Sequence, residues 1–178
     1  MKNNIIPVFI LFFLGACGLY KHAVPPPAGP EAEFVLSSAD FRDNNIMPRA
    51  FACDGINISP ALKWSGVPSG VKSFILTMRS PDSASGDFLH WAVVDIPATI
   101  SGVERNTKFP PNSRELKNDF TTSGYSGPCP PSGASYRYVF TLYALDIARF
   151  NDAPAPLDEF LKDHTLAKAA LTGIYKKK

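Results

Sequence analysis

Two segments far apart in the sequence carry the side chains best suited to bind a small polar ligand. The first contains Asp82 and His90, a carboxylate and an imidazole beside an apolar run. The second is a proline-rich loop, residues 125–131. Proline fixes φ and has no N–H, so this loop should be stiff. We expect it to present free N–H groups, such as those of Gly127 and Cys129, to an anion.

The same side chains also have simpler structural explanations. Asp82 follows Pro81, and aspartate in that position commonly caps its own backbone in a turn. A single histidine on an apolar strand, such as His90, is more often a satisfied structural residue than a ligand contact. The residues alone therefore leave a structural and a binding role open for both.

A catalytic arrangement is less well supported than a binding site. Ser80 or Ser126 could join His90 and Asp82 in a hydrolase triad, but the Gly-x-Ser-x-Gly elbow is missing because residues 124–128 end in proline. No phosphate loop, dinucleotide fingerprint or His-Glu-x-x-His motif occurs. The three histidines are scattered, and the cysteines lack zinc-site spacing. We therefore expect a protein that is not an enzyme and that holds neither a metal nor a cofactor.

The elements that would position these residues are mostly strands. Runs rich in β-branched and aromatic residues, bounded by Gly, Pro, Ser and Asp, predict strands at residues 74–78, 88–96 and 138–145. Residues 156–162 predict a short helix, with Leu157, Phe160 and Leu161 at helical spacing. Residues 166–175 could extend that helix or return as a strand. This pattern favours a mostly β sandwich.

Several ordered motifs make the chain resemble the phosphatidylethanolamine-binding protein family, and most closely its bacterial, Raf-kinase-inhibitor-like branch. The resemblance extends from about Phe34 to Tyr175. The motifs that carry it are Phe51-Ala52-Cys53-Asp54-Gly55-Ile56-Asn57-Ile58-Ser59-Pro60, Ser80-Pro81-Asp82, His90-Trp91, Gly127-Pro128-Cys129-Pro130-Pro131, Arg137-Tyr138 and Tyr143-Ala144-Leu145-Asp146.

The resemblance implies a sandwich in which a large sheet packs on a smaller antiparallel one, with one or two short helices near the C-terminus. It makes residues 166–175 a strand and residues 34–178 one domain. It also implies a pocket for phosphate-like anions, including phospholipid headgroups, without catalysis. The positions that match the family's pocket are Asp82, His90, Gly127, Pro128 and Tyr138.

Two pocket positions depart from the family pattern. Ser80 stands where the family usually has an acidic residue, and Tyr136 stands where it usually has a histidine. Tyrosine can donate a hydrogen bond to an anion but does not become cationic near neutral pH. The affinity and headgroup preference of the pocket therefore stay open at this point.

Two functions from different classes follow. In the first, a membrane-tethered protein binds a phosphate-bearing small molecule or lipid headgroup, with His90 and the Gly127 N–H as donors and Asp82 orienting His90 or binding a headgroup amine. In the second, the domain inhibits or scaffolds an unidentified protein, and the pocket is vestigial or regulatory.

The N-terminus predicts the cellular location. A short basic start, an apolar stretch over residues 5–14 and Leu14-Gly15-Ala16-Cys17 indicate a signal peptide over residues 1–16. The tetrad resembles a bacterial lipobox, which implies a lipid on Cys17; an ordinary signal peptide with a chance cysteine is the alternative. Residues 17–33 would form a Pro-rich tether. By the same resemblance, Gly18 after the cysteine favours the outer membrane, facing the periplasm.

Charge and cysteine count add two expectations. The formal net charge is only +2, so composition gives no case for nucleic-acid binding. With Cys17 carrying the lipid, Cys53 and Cys129 remain as a pair in an oxidising compartment. They could form a disulfide or stay as two buried thiols, because sequence does not give the distance between their Cα atoms.

Overall fold

A computed structural model describes residues 32–150 and 156–178. The predicted signal peptide, lipidated Cys17 and nearly all of the predicted tether lie outside these ranges. The strands are β1 Val35–Ser37, β2 Asn45–Ile46, β3 Leu62–Ser65, β4 Ser73–Ser83, β5 Gly86–Pro97, β6 Gly102–Val103, β7 Arg114–Glu115, β8 Ser135–Leu145 and β9 Thr165–Lys176. The α-helix α1 spans Leu157–His164, and a 3-10 turn spans Arg49–Phe51. None of the helices in the described ranges is long and apolar enough to cross a bilayer.

These strands form two sheets that pack face to face. The small sheet has the order β1-β3-β6, and the large sheet has the order β2-β9-β8-β4-β5-β7, in which only β2 and β9 pair in parallel. Trp64 of the small sheet meets Phe74 of the large sheet edge to face, with 5.6 Å between the ring centroids. The predicted mostly β sandwich with a peripheral helix is confirmed, and the segment left open between helix and strand is strand β9.

Strand β4 lies at the centre of the large sheet and is buried on both faces. Phe74, Leu76 and Met78 point into the core shared with the small sheet, while Ile75 packs in a second core with Leu161 of α1. A central strand covered on both sides should read as a continuous apolar run, and residues 74–78 do so except for Thr77.

Strand β5 contains two bulges that shift its register against β4. Met78 pairs with Trp91 and Arg79 pairs with Leu89, so His90 is an extra residue between them. Asp95 is part of a similar irregularity and has a positive φ of 59°. Bulges bend a strand and re-aim its side chains, and they are enriched next to functional sites.

Strands β4 and β8 separate at one end of the sandwich. Their pairing ends at Arg79 and Val139, whereas β4 continues to pair with β5 as far as Ser83. Pro81 has no N–H for the ladder. The N–H of Arg137 on β8 donates to the carboxylate of Asp82, 2.8 Å away, in place of a strand carbonyl. This separation leaves an opening between the two strands.

A loop over residues 116–126 covers β5 beside His90. The buried Asn118 organises this loop through a side chain whose amide and carbonyl are both hydrogen bonded. Its Nδ2 donates to the carbonyls of His90 and Gly124 and to Ser126 Oγ, and its Oδ1 accepts from the N–H groups of Phe120 and Thr122 and from Thr122 Oγ1. The loop is therefore held to the bulged part of the strand.

Replacing Asn118 by alanine should lower the free energy of unfolding by about 3 kcal/mol, because it removes a buried side chain that bonds four backbone groups of the loop and of β5. Urea denaturation would measure this. Thr122→Val removes the hydroxyl contact to the same Oδ1 and a longer one to Ser126 Oγ but leaves the backbone bonds of Asn118, and should cost about 1 kcal/mol or less. Equal losses in both variants would contradict the central role of Asn118.

Candidate functional site

A cavity of about 200 Å³ lies where β4 and β8 separate. Its walls come from the β4–β5 hairpin, the start of β8, the loop over residues 116–126 and the proline-rich loop. The lining residues are Ser80, Ser83, Ala84, Phe88, His90, Phe120, Cys129, Pro131, Tyr136 and Tyr138.

Four of the seven predicted ligand-binding residues line this cavity: Ser80, His90, Tyr136 and Tyr138. They include the two positions that depart from the family pattern. The other three predicted residues, Asp82, Gly127 and Pro128, are not part of its lining. Gly127 instead lines a neighbouring cavity of about 190 Å³, which shares Phe120 and Cys129 with the first.

Asp82 is engaged with Arg137 and does not orient His90. Its carboxylate accepts hydrogen bonds from the Arg137 N–H, Nε and Nη2. The side-chain hydrogen bond from Arg137, supported by the backbone one, holds the pKa of Asp82 below its usual value. The prediction that Asp82 orients His90 is therefore wrong. Its carboxylate instead accepts from the backbone N–H of Arg137, which has no β4 carbonyl to bond where β4 and β8 separate.

The proline-rich loop does not offer the free N–H groups that its sequence predicted. The Gly127 N–H donates to Asn57 Oδ1 at 2.8 Å, and the Cys129 N–H donates to the Tyr138 hydroxyl at 3.1 Å. A Cβ at Gly127 would clash with the carbonyl oxygen of Phe51, so only glycine allows this close approach. Both N–H groups are used to hold the loop in place.

A disulfide joins Cys53 to Cys129, with their Cα atoms 5.3 Å apart. It closes a sequence separation of 76 residues. The Cys53 N–H also donates to the carbonyl of Pro128 at 3.0 Å. Of the two possibilities that the sequence left open, the structure therefore shows the disulfide, which fixes the wall shared by the two cavities.

His90 is buried among aromatic rings. Its ring packs edge to face against Phe88, Phe120 and Tyr138, with centroid distances of 5.1–5.3 Å. Nδ1 lies 2.8 Å from the carbonyl oxygen of Ser126. Burial lowers the pKa of His90 below 6.5, although the backbone of Ser126 and Gly127 and the charge of Asp119 act in the opposite direction. His90 is therefore neutral near pH 7.

Two buried hydroxyl groups complete the polar part of the cavity wall. Ser80 is fully buried, and its Oγ has no hydrogen-bond partner among the described residues. The Tyr138 oxygen accepts from the Cys129 N–H, so its own hydrogen is still available to donate. Burial raises the pKa of Tyr138, which keeps this phenol protonated.

Among the residues that the structure describes, the cavity lining contains neither lysine nor arginine, nor any acidic side chain. Its polar groups are hydroxyls and one neutral imidazole, set among aromatic rings. Such a wall can donate several hydrogen bonds to an oxygen-rich group and can accept one at the imidazole. Within the described ranges, no three His, Cys, Asp or Glu side chains come together as a metal site would require.

Sequence reasoning missed the residues that shape this cavity without carrying its polar groups. Phe88 was assigned only to a strand, and Phe120, Asn118 and Asn57 were not singled out. Phe120 is 44% exposed and stands between the two cavities. Asparagine and phenylalanine in a loop give no local pattern that indicates a ligand site, so only the fold could identify them.

The family described as phosphatidylethanolamine-binding protein matches residues 37–176. A UPF0098 protein of Methanothermobacter thermautotrophicus is 40% identical over 149 residues, which cover 80% of this chain and 98% of the relative. A Mycobacterium tuberculosis relative named as a candidate lipoprotein, LppC, is 36% identical over 123 residues, covering 68% of this chain and 60% of its own length.

The fold leads to the same group of proteins. The crystal structure of Escherichia coli YbcL, described as a member of the mammalian PEBP family, matches with a TM-score of 0.76 and 33% identity. The match covers 83% of this chain and all of the YbcL chain. The sandwich, the pocket motifs and these similarities agree, and the chain belongs to the phosphatidylethanolamine-binding protein family.

Proposed function

We propose that this protein is a membrane-anchored binding protein, and not an enzyme, whose cavity accepts a phosphate-bearing small molecule or a phospholipid headgroup. The observation that carries the proposal is the buried Ser80 hydroxyl without a partner, in a cavity wall shared with His90 and two tyrosines. An unsatisfied buried hydroxyl costs about 1–3 kcal/mol. A ligand oxygen would remove this cost if its binding displaced the side chains that cover Ser80 Oγ, which is sealed from solvent in this structure.

The geometry around His90 supports binding over hydrolysis. A serine nucleophile needs an imidazole that a third group orients. Here Asp82 faces Arg137, and Nδ1 of His90 faces a backbone carbonyl. Among the described residues, His90 therefore has no hydrogen-bonded carboxylate to orient its ring as in a catalytic triad.

The tautomer of His90 determines how it would bind a phosphate group. A carbonyl oxygen only accepts hydrogen bonds, so Nδ1 carries the hydrogen that faces Ser126. In the neutral ring Nε2 is then an acceptor. Contrary to the role first expected for it, His90 donates to an anion from Nε2 only after taking up a proton.

The lipid anchor and the envelope location are part of the same proposal. The Leu14-Gly15-Ala16-Cys17 tetrad supports them from the sequence. A relative named as a candidate lipoprotein supports them from outside the chain. We place the protein at the outer membrane, facing the periplasm, with its domain held near lipid headgroups.

The folded domain should be stable without its N-terminal segment. The Methanothermobacter relative is matched over 98% of its length by 80% of this chain, so it is little more than the domain itself. The crystallised YbcL chain is likewise covered completely. The domain from Pro30 onward is therefore suitable for binding experiments.

In an NMR titration of this domain with phosphoethanolamine, we expect saturable shifts around His90 and Ser80. Ser80→Ala should weaken binding about tenfold, because it removes one hydrogen bond to a charged group. Asp82→Asn is the matched control at the edge of the site, and should change affinity by less than about threefold because Asp82 does not line the cavity.

Absence of shifts with phosphate, phosphoethanolamine and a short-chain phosphatidylethanolamine at millimolar concentration would overturn the headgroup proposal. The function would then have to be sought in binding or inhibiting another protein. A larger loss in Asp82→Asn than in Ser80→Ala would instead restore Asp82 as a ligand contact.

The affinity for a phosphodiester headgroup, whose own charge is constant between pH 5 and 8, should rise as pH falls. Burial depresses the pKa of ligand-free His90, and a bound anion raises it, so binding takes up a proton. The affinity should increase as pH falls through the bound-state pKa and level off below the depressed ligand-free pKa. Calorimetry at several pH values would measure this dependence, and His90→Gln should abolish it. An equal slope in that variant would exclude His90 as its source.

Cells that express the full chain should incorporate labelled palmitate into the protein, and Cys17→Ser should abolish the label, because the lipid needs this thiol. Cys53→Ser is the control, since it removes a cysteine in the folded domain. Undiminished label in Cys17→Ser would contradict the anchor without affecting the cavity.

A further inference from the structure

A further concave surface lies at the same end of the sandwich as the cavity that Ser80 and His90 line. It is a groove of about 460 Å³ between β2, the 3-10 turn and the end of β9. Its lining residues are Ile46, Met47, Pro48, Arg49, Asp54, Tyr175, Lys176 and Lys178. We call this surface the basic groove.

The basic groove carries an excess of positive charge. The side chain of Arg49 is 73% exposed, and Lys176 and Lys178 are also exposed. Asp54 is the one acidic side chain in the lining, and it is engaged by Arg49 and by the Tyr175 hydroxyl. The hydrogen bond from the Tyr175 hydroxyl is the main cause that lowers the pKa of Asp54, and the charges of Arg49 and Lys177 add to it. Three basic side chains thus line the groove, Lys177 lies near it, and the one carboxylate in the lining is already paired.

One exposed apolar side chain lines the groove, and a second follows the residue that packs against the Arg49 backbone. Ile46 lines the groove and is 65% exposed, and Ile56 is 74% exposed. Ile56 follows Gly55, whose Cα packs directly against the backbone of Arg49. These are the most exposed large apolar side chains in the described part of the chain. Exposed apolar groups next to lysine and arginine are typical of surfaces that bind at the membrane interface.

The basic groove adjoins the cavity that Ser80, His90 and Tyr138 line. Tyr136 of the cavity and Tyr175 of the groove are register partners on adjacent strands. The N–H of Gly133 donates to the carbonyl of Lys177 at 2.9 Å. A surface that approached the groove would therefore also approach the cavity.

We propose that the basic groove docks the domain onto an anionic lipid bilayer, with Ile46 and Ile56 entering the interface and the lysines contacting lipid phosphates. This deepens the proposed function, on which it rests, because it names the bilayer as the partner that brings headgroups to the cavity. A bilayer fits better than a rigid protein partner. Mobile lysine side chains and two isolated isoleucines match a fluid layer of negative charges without needing a complementary shape.

The chain that precedes the domain is long enough to permit this contact. The 17 residues from Cys17 to Glu33 can span at most roughly 60 Å. A domain of about 145 residues has a radius of gyration of roughly 15 Å. A lipid on Cys17 would therefore hold the domain near the membrane without dictating which face it presents, and the basic groove would supply the orientation.

The test is vesicle flotation of the domain from Pro30 onward, which lacks Cys17 and the apolar N-terminus. We expect binding to vesicles that contain phosphatidylglycerol, little binding to pure phosphatidylcholine, and loss of binding in high salt. Changing Lys176, Lys177 and Lys178 to Gln should weaken binding roughly 100-fold, from about fivefold for each lysine near an anionic surface. Replacing Ile46 and Ile56 by Ser should also weaken it.

The matched control changes Lys72, Lys162 and Lys168 to Gln, three exposed lysines at the opposite end of the large sheet. It removes the same net charge and should retain most of the binding. No binding to anionic vesicles, an equal loss in the control, or capture of an envelope protein in place of lipid would overturn the inference.

The same groove variants, titrated with soluble phosphoethanolamine, separate this inference from the proposed function. They should keep wild-type affinity, because the three lysines and the two isoleucines do not line the cavity. If the unmodified domain binds phosphoethanolamine but not anionic vesicles, only the docking surface is contradicted. If it binds the vesicles but not phosphoethanolamine, only the proposed function is contradicted.

Discussion

The burial of β4 on both faces constrains the rest of the structure. Its apolar side chains require the small sheet on one face and the layer containing α1 on the other. The strand is held by β5 and β8 on its two edges, and it can leave β8 only where its apolar run ends, near Pro81. The cavity lies at that separation, and Asp82 compensates there for a missing ladder bond by accepting from the Arg137 N–H. The site is thus a consequence of where the central strand stops being buried.

The cavity lined by Ser80 and His90 and the basic groove differ in their electrostatics. The cavity is lined by aromatic rings, hydroxyls and an imidazole that burial keeps neutral, so its wall offers hydrogen bonds and no formal charge. The basic groove presents exposed lysine and arginine, whose attraction to anions acts over several ångströms and is screened by salt. Under the proposed function, the neutral cavity would recognise the ligand, and the charged groove would attract the surface that carries it.

The histidine shows how a backbone irregularity places a side chain in the candidate site. His90 is an extra residue in β5, so its carbonyl bonds to Ser126 and Asn118 and its ring turns towards the cavity. Those contacts fix Nδ1 as the donor to Ser126 and leave Nε2 as an acceptor in the neutral ring. The chemistry at this residue therefore depends on the loop that covers the bulge as much as on the imidazole itself.

The sequence by itself determined the sandwich, its main strands and the short helix, because alternating and continuous apolar runs report which segments must be buried. Its ordered motifs also placed the chain in its family and pointed to Ser80, His90, Tyr136 and Tyr138. Only the tertiary structure decided which partners the polar groups take. The Gly127 N–H is occupied by Asn57, Asp82 faces Arg137, and Phe120 reaches the cavity from a loop some 30 residues beyond His90. The physical reason is that a segment's own apolar pattern indicates whether it will be buried. A hydrogen bond between distant residues depends on where the folded backbone places both of them.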